Sequence, residues 1–321
     1  MNYKCVQLIF AIVALLFLGT SSLKAAEIDS CQTYTPETST CKPYTENDLT
    51  SLKTGTNPAL IMGASIVALA SNPSSTLGQD LLNLSSRVEF PKGIATVSLI
   101  LYQLNYNNQI SVKPWRENIE QLSRDDKDNA LSYYLLALLR GEDGAVRESV
   151  SLIKKGNTKT FNGYPKERFK AVVAAGETAQ CEKIQAQRYA LWNSFSTGVI
   201  MRTRKLCDKL IEIPDQEARN ACFVMGNNLE RSSITIIDKL QSLRIQRNAL
   251  DPSADAKAVL DIKNRSERAL TCDGKKPEEW IPYSEVNEET DLKYDEIYLA
   301  SGECSALEFL SEYIKQKKQI K

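Results

Sequence analysis

Residues 207–222 read CDKLIEIPDQEARNAC, a Pro-Asp pair with Cys207 seven residues before Pro214 and Cys222 eight after it. Pro214 suits a first helical position, and Asp215 and Glu217 set negative charge against the helix dipole there. Upstream, residues 178–212 carry Trp192, Phe195, Val199, Leu206 and Leu210 along one side. Downstream, no proline follows until Pro252, and Cys222, Leu229, Ile236, Leu243 and Leu250 recur at intervals of seven. The pattern predicts two helices, 178–212 and a long one over 214–250, the latter about 50 Å at 1.5 Å per residue. A turn this short makes them antiparallel, so the cysteines stand level, roughly two turns from the bend. Facing positions on packed helices approach within the roughly 4.4–6.8 Å between Cα atoms that a disulfide needs. Closing a loop of about 15 residues contributes about 3 kcal/mol in the chain-entropy account. A redox pair is expected as Cys-x-x-Cys, and a metal site needs further Cys or His nearby, so this pair reads as a clamp.

Outward from the clamp the text is helix after helix. PALIMGASIVALASNP (58–73) is uncharged and bounded by prolines, and GIATVSLILYQL (93–104) is a second apolar segment. Short amphipathic helices follow over 114–122, 128–139, 145–155 and 165–175, with Gly141, Gly156 and Gly176 expected as C-terminal stops. After Pro252 comes a helix over 254–270 stopped by Asp273-Gly274, then an acidic stretch of little periodicity (278–296). A last helix spans 305–318, where Ser305 and Glu308 have capping-box spacing. No segment alternates with period two, so the expectation is an all-α fold of stacked antiparallel hairpins, an α-solenoid or an irregular bundle. In the long helix the companion positions Met225, Ser232, Lys239 and Gln246 are mostly polar, which makes a poor coiled-coil seam. Packing on a neighbouring helix fits better, with a homodimer through this helix as the alternative.

One hairpin carries a resemblance. ALSYYLLALLRGEDGAVRESVSLIKKG (130–156) resembles a tetratricopeptide repeat, with Tyr133 at the motif's early aromatic position and Leu136 and Ala137 at its Leu and small-residue positions. Ser149, Ile153 and Gly156 then fall on its later small, aliphatic and small positions. Arg140 stands where the motif has an aromatic, Phe161 where it ends in proline, and no second copy follows at a 34-residue period. The resemblance covers under a tenth of the chain and implies a hairpin stack that presents a protein-binding surface. An ordinary αα-hairpin is the alternative.

The N-terminal MNYKCVQLIFAIVALLFLGTSSLKAA has a basic start, an apolar run from Leu8 to Leu18 and small residues up to Ala26, the layout of a secretory signal peptide. The run is shorter than the roughly 20 residues of a membrane span, so no stable insertion is expected after cleavage. The expected organisation is a leader (1–26), a Thr/Ser-rich extended arm (27–57), a hairpin region (58–176) and a long-helix hairpin with C-terminal helices (177–321). Without Lys4 and Lys24 the chain has 38 basic and 40 acidic residues, which gives no support to a nucleic-acid partner. An exported setting, periplasmic or secreted, permits disulfides. Beyond Cys207 with Cys222, local pairing suggests Cys31 with Cys41 and Cys272 with Cys304, leaving Cys181 over.

The chain contains no histidine, which removes Ser-His-Asp and Cys-His catalysis and imidazole zinc sites. No Walker or dinucleotide loop is present, and RDDKDNALSYYLLA (124–137) fails as a calcium loop: Leu131 and Ala137 stand where Gly and Glu are needed. Its acids read instead as helix caps, and the basic MRTRK (201–205) as a solvated helix face rather than an anion site. No cofactor or metal is expected. Glu148 beside Ser149 resembles the catalytic Glu-Ser of soluble lytic transglycosylases, without that family's flanking motifs; it is the one nameable acid for a carboxylate-dependent peptidoglycan glycosidase. The expectation is an exported binding or scaffold module for a protein or cell-envelope component, without catalysis. The alternatives are that glycosidase and a purely structural dimeric spacer.

Overall fold

The computed structural model describes residues 46–55, 57–71, 75–87, 94, 97–98, 100–101, 104, 111–178, 196–213, 215–250, 256–275 and 286–319. All lie in one of the chain's two units, Cys41–Lys321. In order the helices are α1 (Glu46–Leu52), α2 (Pro58–Ser71), α3 (Thr76–Arg87), α4 (Arg116–Asp125), α5 (Ala130–Glu142), α6 (Val146–Asn157) and α7 (Pro165–Thr178). Then come α8 (Thr197–Ile211), α9 (Gln216–Ser232), α10 (Ile236–Ala249), α11 (Ala256–Thr271), α12 (Glu288–Ser301) and α13 (Glu303–Gln319), with single 3-10 turns at Lys113–Trp115 and Cys272–Gly274. Among the described residues there is no strand, only a parallel bridge between Asn129 and Thr160. The fold is all-α. No described helix is long and apolar enough to cross a membrane.

The chain turns back between α8 and α9 as the cysteine spacing requires; Pro214 itself lies outside the described residues. Asp215 caps α9 by accepting from the Glu217 N–H at 2.8 Å. Arg219 donates to the terminal α8 carbonyl of Ile211 at 3.0 Å, a cation on a helix C-terminus. Cys207 and Cys222 are joined across the hairpin, Cα atoms 5.8 Å apart, and both are buried. The Cys272–Cys304 bond ties the 3-10 turn after α11 to the first turn of α13, Cα atoms 5.2 Å apart. Cys31, Cys41 and Cys181 lie outside the described residues, as do Trp192 and Phe195.

The long helix over 214–250 is not continuous. The chain stops at Ser232 and doubles back as α10, which packs along both α9 and α8. Two serines end α9: the Ser232 hydroxyl donates to the Asn228 carbonyl at 2.8 Å and that of Ser233 to Leu229 at 2.6 Å. Such back-bonding gives the last carbonyls a partner other than the next turn. Thr235 then starts α10, its hydroxyl oxygen accepting from the Asp238 N–H at 2.9 Å. The residues at intervals of seven still face inward, with Cys222, Leu229, Ile236 and Leu243 all buried, but on two helices rather than one stripe. Arg265 of α11 secures the outer face by donating to Gln246 at 2.9 Å and to Glu230.

The 130–156 segment is a helical hairpin, α5 against α6, laid with α6 on α9. Gly156 is not a stop signal but lies inside α6, where a Cβ would come 2.6 Å from the Tyr134 ring. Gly141 likewise lies inside α5, against Leu206, and Gly176 lies inside α7. The turn itself uses Gly144, at φ +78°. Asn157 ties the hairpin to α9: it accepts from the Tyr134 hydroxyl at 3.0 Å and donates to the Ala221 carbonyl at 2.9 Å. Burial pushes the Tyr134 hydroxyl up to about 12. The loop before α5 is capped by Asn129 rather than by its acids; Asp126 is buried and accepts from Tyr164 at 2.6 Å.

One apolar core runs from Val97, Ile100, Leu101 and Leu104 through α5, α6, α8 and α9 to Ala249. Around Ile61, Ala68 and Leu81 a smaller cluster gathers Leu52, and that contact makes α1 a helix within the stretch expected to be extended. The acidic stretch also corrects the sequence reading: α12 begins at its Asn287 cap, which accepts from the Thr290 N–H at 2.8 Å. Gly302, at φ +86°, breaks α12 from α13. The expected Ser305–Glu308 capping box does not form, because α13 starts two residues earlier and Glu308 pairs with Lys275 at 2.9 Å.

Candidate functional site

The second bend, between α9 and α10, brings a buried carboxyl to the edge of a cavity. Residues 232–234 form one wall; the 161–165 loop, Ser196 and Ile200 form the others. The loop is held by Asn129, whose side chain donates to the Asn162 carbonyl at 2.7 Å and accepts from the Asn162 N–H at 2.9 Å. Across the bend, Glu303 at the start of α13 donates its N–H to the Ile234 carbonyl at 2.8 Å and accepts from the Ile236 N–H at 2.6 Å. A Cβ on Gly302 would sit 3.1 Å from that same carbonyl, a tight approach, and its φ of +86° is one that glycine adopts without strain. The cavity measures about 100 Å³, with Asn162 exposed at its rim and Asp238 buried at its floor.

Asp238 is 2% exposed. Thr197 and Thr235 hydroxyls bond its carboxyl, yet Oδ1 has no protein partner. Desolvation dominates those bonds, the charge of Glu303 adds to it, and the carboxyl is pushed up to about 7. Tyr298 bonds Glu303 from the α12 side, and its hydroxyl is pushed far above its usual value by burial, then by the charges of Glu303 and Asp238. Tyr294, its ring centroid 5.9 Å from that of Tyr298, is raised by the same burial. The arrangement is a carboxyl poised near neutrality beside two tyrosines held neutral.

The residues singled out from sequence fall elsewhere. Glu148 is in the first turn of α6 with its side chain 67% exposed, ion-paired to Arg140 at 3.3 Å. Arg140 also reaches Glu120 at 3.2 Å and Asp143 at 3.6 Å, so Glu148 belongs to a surface charge network between α4, α5 and α6. The MRTRK cluster is not a solvated face: Arg202 is turned inward, its side chain 11% exposed and 3.6 Å from Glu142. Burial lowers the affinity of Arg202 and Arg204 for their protons. Arg168 of α7 is wholly buried and brought down to about 9 by desolvation alone. Among the described residues no group of three or more carboxylates or cysteines is placed to hold a metal ion. Asp238 was missed in the sequence; its signal was the Thr235-x-x-Asp238 capping spacing in the middle of an apparently unbroken helix.

Fold and site together define an all-α chain of antiparallel hairpins with a carboxyl-floored cavity at one bend. A scan of protein-family models, a search of curated proteins and a search of solved structures each return no match.

Proposed function

We propose that this chain is an exported helical-hairpin protein that binds another macromolecule, a protein or component of the cell envelope, without catalysing a reaction. The observation that carries the reading is the row of side-by-side helices α5, α6, α9, α10 and α11, each packed on the next. Helical repeats use such rows to offer extended faces to partners; the likeness of 130–156 to a tetratricopeptide repeat belongs to the same reading. The leader-like N-terminus and two disulfides favour an exported setting. At the end of the row, α11 buries Ile262 and Ser266 and leaves Val259 and Leu260 exposed, the apolar pair a partner would cover. The test is affinity capture from the native envelope with the mature chain. A discrete partner, lost in a Val259→Lys, Leu260→Lys variant that still melts like wild type, supports the reading. A stable dimer that captures nothing would place the chain among structural spacers instead. Release of muropeptides from purified peptidoglycan by wild type, and not by Glu148→Gln, would make it an enzyme.

A further inference from the structure

We propose that the cavity between the 161–165 loop and the 232–238 bend binds a short primary-ammonium group. The inference stands apart from the macromolecular reading, since it rests on the cavity alone. Its described lining is rich in acceptors, the Asp238 carboxyl and the hydroxyls of Ser232 and Ser233, with the Ser196 hydroxyl beside them. Asp238 Oδ1 is buried and has no protein partner. The Ser232 and Ser233 hydroxyls already donate to the carbonyls of Asn228 and Leu229, so they turn lone pairs to a guest. Among the described lining residues there is no lysine or arginine, and Glu303 adds a second negative charge behind Asp238. An ammonium brings three N–H donors and the compensating charge, and no acceptor that would go unmet. A carboxylate taken from water gains most from a cation in such a place, because the attraction grows as the surroundings dry.

The walls select the rest of the guest. Phe161, Ile200 and Ile234 offer apolar surface for methylenes, and the exposed Asn162 marks the open end. A space of about 100 Å³ is smaller than the roughly 150 Å³ that takes benzene, so it suits about four heavy atoms. Either a free alkylamine or the amine end of a lysine side chain has this chemistry. Perturbed carboxyls gather where proteins bind or react, and Asp238 is one.

The experiment is a titration of the full mature chain, followed by amide NMR at pH 8, with propylammonium chloride. Propan-1-ol, sodium propanoate and tetramethylammonium chloride at equal concentration serve as the neutral, anionic and donor-free cationic probes. The expected result is saturable shifts at Asn162 and Ser232–Asp238 with propylammonium only, weakened at least tenfold in Asp238→Asn. Acetyl-lysine-methylamide distinguishes the sources: binding as tight as propylammonium assigns the site to a lysine side chain, and much weaker binding to a free amine. No saturable shift, equal binding of propan-1-ol or tetramethylammonium, or undiminished binding in Asp238→Asn overturns the proposal. Should that variant not fold, the four probes on the wild-type chain decide.

Discussion

The stretch from 207 to 238 bends twice, and the two bends are made in opposite ways. The first is closed by a covalent bond: Cys207 and Cys222 bridge α8 and α9, and Arg219 and Asp215 satisfy the helix ends. The second has no such tie. It is made by Ser232, Ser233 and Thr235 turning their hydroxyls on the backbone, and is held from outside by the α12–α13 joint at Gly302 and Glu303. The first bend stabilises the fold whatever the pH. The second leaves a carboxyl under strain of desolvation at the edge of a cavity. A bend that must keep an uncompensated group buried is where a ligand has something to gain.

The largest effect expected follows from that carboxyl. The folded value of Asp238 is raised, so the native state holds the proton more tightly than the unfolded chain does. This contribution is fully present below about pH 4 and is lost as pH rises through about 7, a swing of up to about 4 kcal/mol at 1.36 per unit. Asp238→Asn keeps the shape and removes the titration. It is expected to melt above wild type at pH 8 and near it at pH 4; a gain that is the same at both pH values would show that Asp238 is not a buried titrating group.

Next in size is the covalent bend. Cys207→Ser is expected to lose about 3 kcal/mol under oxidising conditions, seen as a lower melting temperature with no dependence on pH between 5 and 8. Gly156→Ala, which drives a methyl towards the Tyr134 ring at 2.6 Å, is expected to cost about 2 kcal/mol in denaturant titrations. Smallest is Thr235→Ala, the lost cap of α10, at about 1 kcal/mol. If the second bend is held chiefly by its own hydroxyls, Thr235→Ala should also speed amide exchange at Ile236 and Asp238. A change confined to α13 would show that the outer joint does most of the holding.

The contrast also explains what was legible in the sequence. Cys207 and Cys222 were readable because their meeting depends only on distance from a short turn. The second bend hid behind Leu229 and Ile236, which keep the seven-residue interval across it because each helix buries its own share of that phase. Helix α12 was missed for a related reason: its buried positions include Thr290, Asp295 and Tyr298, so no apolar stripe marks it. Gly141 and Gly156 were misread as stops, since a glycine ending a helix and one admitting a neighbour look alike in the text. Asp238 was invisible because its burial depends on α13 docking from far along the chain, while Glu148, conspicuous in sequence, folds onto the surface.

The most direct test of the double-bend account is a non-reducing peptide map of the mature chain. It is expected to link Cys207 with Cys222 and Cys272 with Cys304, as the α8–α9 hairpin and the seating of the 3-10 turn after α11 on the first turn of α13 require. A peptide joining Cys181 to either Cys207 or Cys222 would contradict the hairpin register on which both bends depend.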